Sequence, residues 1–71
     1  MLNAMLTIRE KIQAMGGTVA VAEMLRISPS AVSQWRDIPL DHVPDIERLS
    51  NGEFDRFWLR PDYFWRFGAP T

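Results

Sequence analysis

Only Arg26 and Ile27 stand between an alanine-rich helical stretch ending near Leu25 and the Ser28-Pro29 pair that opens the next helix. Serine is a strong N-cap because its hydroxyl oxygen accepts from an orphaned N–H of the first turn. Proline fits the first helical position, where its missing N–H is not needed. So tight a link forces two helices to cross steeply rather than lie antiparallel. Ala22 is small enough for the closest approach, and Leu25, Ile27 and Val32 are the residues expected to fill the wedge.

The flanking segments are also short and sharply punctuated. Residues 2–15 place Met5, Ile8, Ile12 and Met15 at spacings of three and four, the period of an amphipathic helix. Gly16-Gly17 ends that helix, because glycine takes the left-handed conformation of a cap without steric penalty. Thr18 is expected to cap the second helix, Thr18 to Leu25. The third should run from Pro29 to Trp35 or Arg36 with Val32 and Trp35 facing inward, until Ile38-Pro39 stops it. A fourth is expected from His42 to Ser50, capped by Asp41, tolerating Pro44 in its first turn, and halted by Asn51-Gly52. Beyond it, a short helix at Asp55–Leu59 and an extended tail after Arg60-Pro61 are expected, with a β-ribbon as the competing arrangement. The chain therefore reads as all-α, four to five short helices in a single domain spanning residues 1–71.

Composition narrows the class. Hydrophobic residues make up 46% of the 71 and charged residues 24%, as in a globular chain rather than a disordered one. There is no cysteine, so neither a disulfide nor a cysteine zinc site can support a small core, and dimerisation is the remaining support. No stretch approaches the roughly 18 apolar residues of a spanning helix, and no secretory leader is recognisable, so a cytoplasmic location is expected. The net charge is −1, but residues 1–36 carry four cations against two acids and residues 37–71 four against seven. The N-terminal half, at +2, is where a polyanion would be met, weakly, because non-specific affinity comes mainly from phosphate contacts.

The outward face of the third helix carries Ser30, Ser33 and Gln34. Short and amide side chains let a helix sink into a DNA major groove about 12 Å wide while offering donors and acceptors, and glutamine can pair bidentately with adenine. Residues 16–36 resemble the helix-turn-helix of Cro-type phage repressors. The tract running from AVSQW through IP, DIER, NG and LRPD is similar to the YdaS-like prophage regulators of that superfamily. The resemblance covers roughly residues 14–62. It implies a lambda-repressor-like helical domain that binds near-palindromic operator DNA, usually as a dimer, with some relatives acting as antitoxins. Transferred to this chain, the groove-facing positions fall on Ser28, Pro29, Ser30, Ser33 and Gln34, and phosphate contacts on Thr18, Arg26 and Arg36. Two departures stand out. Arg26 occupies a turn position that is usually glycine, and is expected to adopt a left-handed conformation costing about 1 kcal/mol rather than to relax the turn geometry. Pro29 replaces the glutamine that many relatives carry early in the third helix, so their operator preference does not transfer.

Seven of the eight aromatic residues lie in residues 54–67, interleaved with arginines and acids. Aromatics and arginine are enriched at interfaces, so Trp58, Tyr63, Phe64 and Trp65 are candidates for a homodimer contact. Phe54, Trp58 and Leu59 could instead close the monomer core, and a single-stranded nucleic acid platform is a third use. The tail also supports an alternative function, an antitoxin-like or adaptor protein docking on another protein. His42, with Asp41 and Asp45 nearby, lacks the further ligands of a metal site, and Gly16-Gly17 lacks the lysine and spacing of a phosphate loop. Neither enzymatic activity, a small-molecule substrate, a cofactor nor a metal is expected.

Overall fold

The computed structural model describes residues 6–67; Met5 and the side chains of Arg66 and Phe67 lie outside the described residues. These residues form an all-α chain without strands: α1 (Ile8–Ala14), α2 (Thr18–Leu25), α3 (Pro29–Ser33), a 3₁₀ turn (Leu40–His42), α4 (Val43–Leu49), α5 (Arg56–Leu59) and α6 (Pro61–Phe67). They group into two compact units, residues 1–37 and residues 38–71.

In the first unit, α1 begins at Ile8 rather than near residue 2. Thr7 Oγ1 accepts from Glu10 N at 3.1 Å and Glu10 Oε1 accepts from Thr7 N at 2.8 Å. This reciprocal capping box satisfies two orphaned donors and fixes the helix start. Gly16 and Gly17 reverse the chain at φ 110° and 103°. A Cβ on Gly16 would come within 3.1 Å of Ala20 Cβ, so the close approach of the chain also favours glycine there. Gly17, not Thr18, is the N-cap of α2, and it supplies no side-chain hydrogen bond.

Arg26 closes α2 in the left-handed conformation expected of it, φ 60° and ψ 43°, with its N–H donating to Ala22 O and Glu23 O. Val21, Ala22 and Val32 are buried at the α2–α3 crossing, whereas Leu25 and Ile27 are half-buried. The Arg26→Gly variant is expected to raise stability by about 0.5–1 kcal/mol. Glycine removes the left-handed penalty of roughly 1–2 kcal/mol but adds freedom to the unfolded chain. A urea midpoint that falls instead would mean that the arginine side chain contributes more than its backbone costs.

Ser28 caps α3 as expected, its Oγ accepting from Ala31 N at 3.1 Å, with Pro29 at the first position. The helix stops at Ser33, short of Trp35 or Arg36. Gln34 N and Trp35 N donate to Ala31 O and Val32 O three residues back, which tightens the last turn. The chain then brings Asp37 to Lys11. Trp35 is half-buried rather than a core anchor.

In the second unit, Asp41 does not cap α4. It lies inside the 3₁₀ turn, and His42 takes the N-cap position without a side-chain bond, ahead of Val43 and Pro44. Asn51 (φ 54°) and Gly52 (φ 81°) end the helix as expected, with Gly52 N donating to Glu47 O at 2.8 Å. Asp55 caps α5 by accepting from Trp58 N at 2.9 Å. The extended tail expected after Arg60-Pro61 is instead a helix. Arg60 leaves the helical conformation, at φ −138° and ψ 68°, in line with the bias on a residue before proline, but Pro61 then occupies the start of α6. Ile38, Val43, Ile46 and Leu59 are all but inaccessible to solvent. Phe57 meets Trp65 in a tilted arrangement at 5.3 Å and Phe64 edge-on at 6.4 Å, which gives the two short helices a shared aromatic contact.

Candidate nucleic-acid interface

Every residue expected to meet DNA lies within the first unit. Ser28, Pro29, Ser30, Ser33 and Gln34 are all exposed. Ser30 and Ser33 are three apart on α3 and therefore share a face, while Gln34 stands just past its end as the C-cap. The oxygen of Ser28 accepts one capping bond from Ala31 N, which leaves its O–H free to donate and one lone pair to accept. Pro29 presents only its ring.

Thr18 is half-buried at the first position of α2. Because Gly17 is the cap, the Thr18 hydroxyl is not consumed by capping, and the first-turn N–H groups receive no side-chain acceptor. Such groups suit a phosphate oxygen. Thr18 and Ser33 also both lie on the lip of one open pocket of about 370 Å³, lined in addition by Arg9 and Gln13 of α1 over a floor that includes Ile12 and Val32.

The charges are sorted between the two units. In the second, Arg48 pairs with Asp45 at 3.1 Å, Arg56 with Glu47 at 2.9 Å and Arg60 with Asp62 at 2.8 Å. The Arg56 hydrogen bond holds the Glu47 carboxyl below its ordinary range, and Glu47 in turn raises the Arg56 guanidinium. Arg60 likewise lowers Asp62. In the first unit Arg9, Arg26 and Arg36 are exposed and make no ion pair among the described residues. Asp37, the neighbour that could have neutralised Arg36, is bound by Lys11 at 3.4 Å.

Sequence reasoning missed three of these residues. Lys11 is only 4% exposed, although lysine is ordinarily a residue of the solvated surface. The signal was present: Lys11 lies three after Ile8 and four before Met15, on the apolar stripe. Arg9 and Gln13 lie off the apolar spacing of α1 and belong to no motif, and only the fold brings them into one pocket lining with Thr18 and Ser33.

Elsewhere, His42 is half-buried, and no group of three His, Cys, Asp or Glu among the described residues could hold a metal ion. Tyr63 and Trp65 remain 40% and 53% exposed, while Trp58 and Phe64 are half-buried. No helix among the described residues is long and apolar enough to cross a membrane.

Two short helices joined by a three-residue turn, the second capped by Ser-Pro and exposed along its polar face, define a helix-turn-helix protein of the all-α class. The family described as Bacterial toxin YdaS matches residues 8–67, and the chain belongs to that family. The chain is similar to the Escherichia coli (strain K12) protein "Putative transcriptional regulator YdaS", with 36% identity over 63 residues. The match covers 83% of this chain and 64% of that relative, so the chain spans less than two thirds of its length. No solved structure matches.

Proposed function

We propose that the protein is a sequence-specific regulator of transcription that binds duplex operator DNA, with α3 in the major groove. In this reading Ser30, Ser33 and Gln34 meet base edges, helped by Ser28 and Pro29 at the helix start, while Thr18, Arg26 and Arg36 hold phosphates. It acts in the cytoplasm as a Cro-like repressor of phage or prophage type, without catalysis. It binds as a homodimer on a near-palindromic site. The observation that carries this reading is the charge sorting: exposed arginines that make no ion pair among the described residues share a unit with the polar helix, while Arg48, Arg56 and Arg60 are tied to acids. The regulator relative supports the same reading. The family's description as a toxin names an effect on cells, not the molecular act behind it.

Selection of bound duplexes from a random pool at low and moderate salt tests the proposal. Recovery of a short near-palindrome supports it; enrichment of nothing at either salt, with the protein folded, overturns it. On the recovered duplex, Gln34→Ala is expected to cost about 1–3 kcal/mol, roughly 5- to 150-fold in affinity, and to relax preference at one base pair. Equal loss on every sequence would mean that Gln34 only positions the protein.

A second reading, docking on another protein as an antitoxin or adaptor, is favoured by the exposure of Tyr63 and Trp65 on α6. Salt separates the two. DNA binding weakens steeply as salt is added, whereas an aromatic contact barely responds.

A further inference from the structure

The pocket beside α3 is lined by two residues already assigned to DNA, Thr18 and Ser33, and by α1 residues that have no role so far. Arg9, Gln13, Thr18 and Ser33 surround it with hydrogen-bond donors, and no acidic side chain lines it. Ile12 and Val32, 8% and 0% exposed, give it an apolar floor, and Trp35 adds a half-buried aromatic wall. Donors around an apolar floor fit a ligand that is anionic on one side and rich in C–H on the other. A DNA phosphodiester with its deoxyribose is such a ligand. Ser33 and Thr18 are shared between the pocket and the proposed DNA contacts, so a strand engaged by α3 would pass along this lip.

We infer that the pocket seats one stretch of the DNA sugar-phosphate backbone, and that α1 takes part through Arg9 and Gln13. The inference rests on the DNA-binding reading. Arg9 supplies the charge, since its guanidinium is exposed, makes no ion pair among the described residues and can fork onto two phosphate oxygens. Gln13 supplies a neutral donor one helical turn further on. Neither reads sequence. Both fix the register in which Ser30, Ser33 and Gln34 meet the bases.

The test measures affinity for the selected duplex and for unrelated duplexes over a series of salt concentrations, for the unaltered chain, Arg9→Ala, Arg9→Lys and Gln13→Ala. Both wild-type side chains are exposed, and circular dichroism verifies that each variant is folded. Arg9→Ala should weaken binding about equally on all duplexes and reduce the slope of log K against log salt by about one. Arg9→Lys should keep the slope, and Gln13→Ala should weaken binding with the slope unchanged. If the unaltered chain binds and Arg9→Ala matches it in affinity and slope, the backbone seat is wrong while the α3 reading stands. If the unaltered chain binds no duplex, both fall together.

Discussion

Ile46→Ala is expected to remove about 2–5 kcal/mol of folding stability, the range for deleting a buried isoleucine side chain beyond Cβ. Ile46 is 0% exposed. It sits on the stripe that α4 shares with Val43, so truncation both forfeits apolar burial and leaves a cavity that short, capped helices can close only in part. A domain of this length holds roughly 4–11 kcal/mol in total at about 0.05–0.15 kcal/mol per residue, so the variant could leave much of the population unfolded at room temperature. Leu49, on the same helix but 45% exposed, provides the control. Urea melts should separate Ile46→Ala clearly from Leu49→Ala, and similar midpoints for the two would contradict the described core.

The second large effect is at Ala22. Its side chain is 2% exposed at the α2–α3 crossing, against Val32 at 0%. Ala22→Leu inserts three carbons where there is no space, a change that typically costs about 1–3 kcal/mol. The strain can be relieved only by opening the angle between the two helices, because the link from Arg26 to Ser28 is too short to absorb it. DNA affinity should therefore fall further than the lost stability accounts for at temperatures where the variant is still folded. Ala14→Leu, at an exposed position of α1, should leave both quantities nearly unchanged. An Ala22→Leu protein that melts and binds like the parent would mean that Ala22 does not set the crossing.

The parts of this fold that could be read from the sequence are those decided locally. Ser28-Pro29, Asn51-Gly52 and the left-handed Arg26 each depend on a few neighbouring residues, and each stands in the structure as expected. Two local signals went unused. Thr7 and Glu10 have the spacing of a capping box, which places the start of α1 at Ile8. Pro61 opens α6 at its first position as Pro29 opens α3, where an extended tail after Arg60-Pro61 is the expectation from sequence. The remaining misses are non-local. Lys11 finds Asp37 across 26 residues of sequence. The assembly of Arg9 and Gln13 beside Thr18 does not follow from residue spacing, because it depends on how α1 packs in the first unit. The polar face of α3 was legible; the residues that surround it in space were not.

The central claim is that α3 is the surface that meets DNA. The most direct test is to titrate the nitrogen-15-labelled protein with the selected duplex and follow its amide resonances. The account predicts shifts concentrated at the start of α2, Thr18 to Ala20, and along residues 28–34, with the exposed amides of α6 left in place. Shifts confined to residues 57–65 with α3 unmoved, or no shift anywhere at saturating duplex, would contradict it.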